Sequence, residues 1–297
     1  MSRRGILAVV VILGAAVAYL VFRQPPETPS SLGGAVSTTV PVIVDSPAED
    51  DPTVDAETGA HALDPLLEMA RELLVSFNAN VRDYSATMVK RERIAGVLGA
   101  ESKIELKIRC RDSEKDPPVS LAVYMQFLEP RSSAGREVIW GEDLHEGKIV
   151  THEGGFKNWK TLHLDPDGML AMLGNKYSIT QVGLRRLIEK LVEKGTEDRE
   201  VGPCVVNTIT GQHVGDRACT LYQIVHPEKD ERFDFHIAQI FVDDELSIPL
   251  RYAAYLWPDS EGGDPPLEEE YTYLNVKLNI GLTDKDFDPE NEEYKYP

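Results

Sequence analysis

The stretch FDFHIAQIFVDDELSIPLRYAAYLW, residues 233–257, decides the fold of this chain. It contains two runs of strand-like pattern, Phe233–Asp243 and Ile248–Trp257. A period of two residues is typical of β-strands, and two such runs joined by a short link predict an antiparallel hairpin. The first run is apolar on both faces, so each face needs a cover or a ligand.

Nine further runs of the same kind lie before and after this hairpin. Turn-forming residues separate successive runs at intervals of about ten residues, which is the rhythm of consecutive hairpins. The sequence therefore predicts an antiparallel sheet of about eleven strands. The nine additional candidate strands are Tyr84–Ile94, Glu101–Cys110, Val119–Leu128, Arg136–Gly141, Gly147–Glu153, Asn158–Leu164, Pro203–Gly211, Arg217–His226 and Glu269–Ile280.

Two amphipathic helices interrupt the strands. Apolar residues recur at helical spacing from Leu63 to Val81, and Asp64 followed by Pro65 is typical of a helix start. A second helix is predicted to begin with a capping box at Ser178 and to end at Gly195. Helices placed between runs of strands exclude a doubly wound architecture. We expect a mainly β fold of the α+β type, in which the helices cover the concave face of a curled sheet.

Lysines near the predicted end of the second helix have an ordinary explanation. Lys190 and Lys194 fall in what would be its last turn. Positive side chains at this position complement the helix dipole. The sequence therefore assigns both lysines a role in helix stability.

The amino-terminal run Gly5–Phe22 holds 18 residues without a charge. A helix needs about 17–25 apolar residues to cross a bilayer. Residues 1–23 are therefore predicted to form a single-pass inner-membrane anchor that places the rest of the chain in the periplasm. The alternative is a signal segment cleaved near Ala18, where an A-x-A pattern occurs, which would release a soluble periplasmic protein.

Composition divides the remaining residues into a linker and a domain. Residues 24–62 are acidic and rich in Pro, Ser and Thr, which predicts a disordered linker. Residues 63–297 are long enough for one domain with a full core. The net charge of the chain is −19 at pH 7, which argues against nucleic acid as a partner.

The sequence contains no recognisable catalytic constellation. Phosphate-binding, dinucleotide-binding, serine-hydrolase and zinc-protease motifs are all missing. The pattern therefore predicts a non-enzymatic protein without a cofactor or metal. Among the three cysteines, Cys204 and Cys219 flank a candidate hairpin and could form a disulfide in an oxidising compartment.

Strands that are apolar on both faces suggest a hydrophobic cavity under the helices. Strand parity shows which residues share a face but not which face points inward, so the opposite face remains an alternative. A plain core roofed by the helices is also compatible with this pattern. The predicted cavity lining is Met125, Phe127, Leu184, Leu187, Leu191, Phe235, Ile237 and Phe241.

Several stretches resemble an uncharacterised bacterial family, a domain of unknown function whose members are similar to the periplasmic lipoprotein carrier LolA and to outer-membrane lipoprotein-sorting proteins. The resemblance covers about residues 66–290. It implies an incomplete antiparallel barrel of eleven strands, closed by helices over a hydrophobic cavity, with no catalytic residues. The stretches that carry it are residues 123–155, 164–191, 237–258 and 267–289, which include GKIVTHEGG and GLTDKDFDP.

These patterns lead to three functional hypotheses. The first is a membrane-tethered periplasmic domain that binds lipid or lipoprotein acyl chains without catalysis. The second is an envelope sensor or scaffold that binds another protein through the same surface. The third, which has the least support in the sequence, is a hydrolase with an unrecognised site.

The topology hypothesis makes a direct prediction. The full-length protein should fractionate with membranes and resist carbonate extraction, because an apolar helix of this length is stable only in the bilayer. Amino-terminal sequencing of the exported protein provides the second measurement. A mature amino terminus at Tyr19 would contradict the anchor and support the cleaved, soluble form.

Overall fold

The structure is a computed structural model of the chain, and it describes residues 54–55 and 60–297. The three α-helices of this part are α1 Asp64–Asn80, α2 Met169–Met172 and α3 Leu184–Val201. The strands are β1 Val54–Asp55, β2 Ala60–His61, β3 Asp83–Ile94, β4 Val97–Leu98, β5 Ser102–Arg109, β6 Ala122–Glu129, β7 Glu137–Gly141, β8 Ile149–His152, β9 Leu162–Leu164, β10 Val205–Val214, β11 Arg217–Val225, β12 Ile237–Asp243, β13 Pro249–Tyr255 and β14 Leu267–Leu278.

One antiparallel sheet contains all eleven predicted strands. Its order is β10-β11-β12-β13-β14-β3-β5-β6-β7-β8-β9, and the short β4 pairs with β3 outside this path. Apart from β14 and β3, the strands that pair with each other in this order are consecutive along the chain when the short β4 is set aside. Consecutive hairpins predict this arrangement. The prediction of a mainly β fold with a long antiparallel sheet is therefore confirmed.

The sheet is open and curled. Its two end strands in this order, β9 and β10, are not paired with each other. Leu164 of β9 and Ile224 of β11 nevertheless line the same cavity. Strands from the two ends of the order can face one cavity only if the sheet bends around it, which follows from the accumulated twist of successive strands.

Helices α1 and α3 pack on each other and on the concave face of the sheet. Leu66, Leu67 and Phe77 are the large buried side chains of α1, and Leu184 and Ile188 are those of α3. Their spacing places each set on one side of its helix, as amphipathic patterning requires. The apolar sides of both helices therefore face the sheet.

The second predicted helix differs from the observed α3 at both ends. Ser178 caps a short 3-10 helix, Ile179–Gln181, and α3 begins only at Leu184. The break lies at Gly183, whose φ of +114° is open to glycine and strained for other residues. The backbone N–H of Leu184 then donates to the Tyr84 hydroxyl at 2.8 Å, which satisfies one donor of the helix start.

Gly195 lies inside α3 and does not end it. The helix continues to Val201, so the predicted end at Gly195 is wrong. A Cβ atom at Gly195 would lie 2.8 Å from Cδ2 of Leu67, which shows how closely α1 and α3 approach. Glycine is needed here for helix packing, and this requirement cannot be distinguished from a helix-ending signal in the sequence.

Two predicted strands each begin four residues later in the structure. The strand expected over Asn158–Leu164 is reduced to β9, because the backbone N–H groups of Asn158 and Trp159 donate to the carbonyls of Gly155 and Lys157 in a turn and not to a neighbouring strand. The strand expected from Phe233 begins at Ile237. Phe233 and Phe235 are buried side chains of the loop before β12.

The predicted anchor, residues 1–23, lies outside the described residues, as does most of the predicted linker. In the part that the structure does describe, no helix is both long and apolar enough to cross a membrane. Residues at the end of the predicted linker belong to the fold. The strands β1 and β2 pair, and the ring Nε2 of His61 lies 3.2 Å from the carbonyl oxygen of Gly202.

Gly183 provides a test of the break before α3. We expect Gly183→Ala to lower the free energy of unfolding by about 2–4 kcal/mol, because a Cβ there would combine backbone strain with overpacking. It would lie 2.8 Å from the Tyr84 hydroxyl and 2.9 Å from Cδ1 of Ile108. Urea unfolding measures the change.

Gly96→Ala is the matched control, because Gly96 also has a positive φ, +80°, but a Cβ added there would have no atom within 4 Å. Strain alone should cost about 1 kcal/mol there. Equal losses at Gly96 and Gly183 would show that the contact with Tyr84 and Ile108 has no energetic role.

Candidate functional site

A cavity of about 760 Å³ lies between the concave face of the sheet and helices α1 and α3. Its volume is within the ~300–1,000 Å³ range of sites for small organic ligands. Most of the wall is apolar. The apolar side chains from the sheet are Met88, Ile104, Met125, Phe127, Val138, Ile149, Leu162, Leu164, Ile224, Ala238, Ile240, Val242, Pro249 and Ala254.

The helices supply the other apolar wall. Leu66, Met69 and Leu73 of α1 recur at intervals of three and four residues, and Leu187 and Leu191 of α3 lie one turn apart. Side chains at these spacings share one face of a helix. The amphipathic pattern that predicted the helices therefore also supplies their cavity-facing residues.

Five of the eight predicted lining residues do line the cavity: Met125, Phe127, Leu187, Leu191 and Phe235. Three do not. Leu184 is fully buried at the start of α3, where its backbone contacts Tyr84. Ile237 and Phe241 are buried on the opposite face of β12. The structure thus corrects these three positions.

The error on β12 has a simple geometric cause. Alternate residues Ala238, Ile240 and Val242 point into the cavity, so Ile237 and Phe241 point away from it. Phe235 shares their parity in the sequence but precedes β12, so strand alternation does not govern its direction. Both faces of β12 are buried along its length, which explains why hydrophobicity could not identify the inner one.

On the other half of the sheet, the carboxyl-terminal segment covers the outer face of β6. The Tyr124 ring stacks on the Tyr294 ring with centroids 4.1 Å apart. The backbone N–H of Lys295 donates to Glu137 on β7 at 3.0 Å, and the Tyr296 hydroxyl donates to the carbonyl of Val150 on β8 at 3.0 Å. This segment explains why both faces of β6 are buried over residues 122–125.

One part of the cavity wall carries charged and phenolic side chains. The ammonium group of Lys176 lies 2.8 Å from Glu269, and the Tyr177 hydroxyl donates to the same carboxylate at 2.9 Å. The Tyr271 hydroxyl donates to Glu92 at 2.6 Å. Burial opposes the charge on Lys176, but Glu269 and Glu268 outweigh that effect and raise its pKa.

The two tyrosines of this polar part, Tyr177 and Tyr271, keep their hydroxyl protons at neutral pH. Burial, followed by the nearby charge of Glu269, raises the pKa of both Tyr177 and Tyr271. Both groups therefore act as hydrogen-bond donors at neutral pH. The arrangement fixes the two carboxylates and gives the largely apolar cavity a polar region at this part of its wall.

The cavity opens beside β9 and α2. Leu162, Leu170 and Leu173 belong to its wall, and 37%, 65% and 58% of their surfaces are exposed. The predicted lining residues do not include this entrance. The available signal was the apolar run MLAML, residues 169–173, which follows the turn sequence DPDG. Its four-residue helix is too short to produce a periodic pattern.

The pattern of a family described as "Protein of unknown function (DUF1571)" matches residues 81–296. The chain belongs to the DUF1571 family. This assignment confirms the resemblance to a domain of unknown function. No protein with a curated description matches the sequence significantly.

Solved structures similar to the DUF1571 chain share little sequence with it. One is a putative outer membrane lipoprotein-sorting protein domain from Vibrio parahaemolyticus, with 14% identity, coverage of 75% of this chain and 95% of that one, and a TM-score of 0.33. Another is a LolA superfamily protein from Nitrosomonas europaea, with 11% identity, 74% and 97% coverage, and a TM-score of 0.28. The Pseudomonas aeruginosa MucA/MucB complex gives 12% identity, 75% and 60% coverage, and a TM-score of 0.42.

The cysteines of the DUF1571 chain are free thiols, which corrects the predicted Cys204–Cys219 pairing. Cys219 lies opposite Gln212 in the β10–β11 ladder, whereas Cys204 precedes Val205, which lies opposite Val225. Along β11, six residue steps from Val225 to Cys219 at ~3.3 Å each separate the two cysteine positions by about 20 Å. A disulfide requires Cα atoms within about 7 Å of each other.

Among the described residues of this DUF1571 structure, no group of three or more His, Cys, Asp or Glu side chains could hold a metal ion.

Burial raises the pKa of the Cys204 thiol to about 12 and that of the Cys219 thiol to about 11. Buried thiols with raised pKa values are poor nucleophiles, because the thiolate is the reactive form.

Thiol accessibility tests this placement. In native DUF1571 protein at pH 8, all three cysteines should react with a disulfide reagent at least about 100-fold more slowly than in urea, because each is buried and protonated. After denaturation without a reductant, three thiols should be counted, including Cys110. A count of one would reinstate the Cys204–Cys219 bridge.

Proposed function

We propose that this domain binds acyl chains of a lipid or lipoprotein in its cavity. The observation that carries the proposal is the largely apolar cavity of about 760 Å³, which opens to solvent beside α2. Apolar walls on the sheet and on both helices match a hydrocarbon chain, which needs no hydrogen-bond partner. The proposed role is binding and not catalysis.

Burial of a hydrocarbon chain supplies enough free energy for this role. Each buried methylene contributes ~0.8 kcal/mol, so a chain with about 14 of them would gain ~11 kcal/mol before ordering and association costs. Apolar contact alone can therefore give useful affinity. The cell envelope is the compartment that this proposal requires, and the predicted anchor would keep the cavity near the inner membrane.

A second candidate function is the docking of another protein beside the entrance. Phe156, Trp159 and Met169 expose 94%, 76% and 84% of their surfaces close in sequence to the exposed cavity residues. Exposed large apolar side chains are typical of interaction surfaces when they form one patch. This function is compatible with ligand binding, since a partner could deliver or receive the bound chain.

Filling the cavity tests the acyl-chain proposal. Leu187→Trp replaces a leucine of α3 that lines the cavity with a larger indole side chain, which occupies part of the cavity volume. The full-length variant should therefore copurify with less than half of the lipid found with the original protein. Lipids extracted from equal amounts of protein are quantified by mass spectrometry. Both proteins retain the same residues 1–59, so lipid held by that part is equal in both.

Val75→Trp is the matched control, because Val75 of α1 is 70% exposed and the new ring would point to solvent. It should leave the amount of lipid unchanged. A thermal midpoint within a few degrees of the original value confirms that each variant is folded. Undiminished lipid in a folded Leu187→Trp protein would refute cavity binding.

A further inference from the structure

Five basic side chains line the cavity, and their ionic partners differ. Four of them make ion pairs with carboxylates of the same wall: Lys90 with Glu92 at 3.0 Å, Arg136 with Glu153 at 2.9 Å, Lys176 with Glu269 at 2.8 Å and Lys194 with Asp234 at 2.7 Å. Lys190 is the fifth. No carboxylate of the described residues lies within ion-pair distance of its ammonium group.

The position of Lys190 directs it toward the ligand space. It lies on α3 between Leu187 and Leu191, both of which line the cavity. Its Nζ atom lies 4.1 Å from the centre of the Tyr177 ring, at the polar part of the wall. The Tyr177 hydroxyl is already engaged with Glu269, so the ring presents only its face to Lys190.

The surroundings of Lys190 leave its charge poorly compensated. Burial lowers the pKa of its ammonium group, and the neighbouring Arg186 guanidinium lowers it further. Glu269 and Glu193 lie close enough to raise it. Glu269 already accepts from Lys176 and Tyr177, and Glu193 is already paired with the Arg186 guanidinium at 2.7 Å. A half-buried cation without a carboxylate partner gains more from an incoming anion than a cation that is already paired.

We propose that Lys190 binds the anionic head group of the ligand, a carboxylate or a phosphate, while the acyl chain occupies the apolar part of the cavity. This inference rests on the proposed function, since it names the class of lipid that the cavity selects. The four paired cations would have to break existing ion pairs to play the same part. Lys190 has none to break among the described carboxylates.

The Tyr177 ring offers a competing explanation for Lys190. A cation over an aromatic face is stabilised electrostatically, and the contact could exist for fold stability alone. The two explanations differ in what they predict about ligands. A stabilising contact would affect charged and uncharged ligands equally, whereas a head-group site would discriminate between them.

The test compares three ligands with chains of 16 carbons: palmitate, 1-palmitoyl lysophosphatidate and the uncharged hexadecanol. Full-length protein is held in phosphatidylcholine discs, and affinity is measured by displacement of a fluorescent fatty acid. Lys190→Met should weaken binding of an anionic ligand about tenfold, because one charge-assisted contact is lost. Hexadecanol affinity should stay within about twofold of the original value, since apolar burial is unchanged.

Lys190→Arg is the matched control, because it keeps a positive charge at the same position on α3. It should retain anion preference to within about threefold. If Lys190→Met weakens only palmitate, the head group is a carboxylate; if it weakens only lysophosphatidate, the head group is a phosphate. Both results support an anion site at Lys190.

Two outcomes overturn the inference, and they are distinguishable. If Lys190→Met changes all three ligands equally, or changes none, Lys190 does not recognise the head group, although the cavity still binds chains. If the unmodified protein binds none of the three ligands, the proposed function itself fails.

Discussion

The pairing of β14 with β3 is the constraint on which the rest of the structure depends. Both strands are 12 residues long, and they join the hairpins β5–β9 to the hairpins β10–β13 in a single sheet. Tyr273 lies opposite Met88 and Tyr271 lies opposite Lys90, with all four side chains facing the cavity. Without this long-range pair the concave face would be divided between two separate sheets.

The same pairing creates the polar part of the cavity. Glu269 lies directly opposite Glu92, and like charges at opposed positions normally destabilise a strand pair. Lys176 offsets this repulsion from outside the sheet, because its backbone N–H donates to Glu92 at 3.2 Å and its ammonium group binds Glu269. The segment between α2 and α3 is thereby fixed to the centre of the sheet, beside the cavity.

Cavity and stability place opposing demands on this fold. An unfilled apolar space reduces stability, since each cubic ångström left empty in a core has a free-energy cost. Side chains that cover the outer face of the sheet increase stability, because they bury further apolar surface. Near the carboxyl terminus, the rings of Tyr294 and Tyr296 pack against Tyr124 and His152, so this part of the sheet is held firmly from outside while its inner face remains open to a ligand.

The sequence by itself determined the strands, the two long helices and the existence of apolar cover, because each depends on local periodicity. It could not determine the inner face of β12, where Ile237 and Ala238 are equally buried, since both faces have the same hydrophobicity. The sequence also did not indicate that Lys190 lines the cavity. Its place near Gly195 suggested a helix end, but the close contact of Gly195 with Leu67 allows α3 to continue, which leaves Lys190 in mid-helix against the cavity. Only tertiary packing decides such cases, because the same glycine and the same lysine fit either environment until the neighbouring helix is in place.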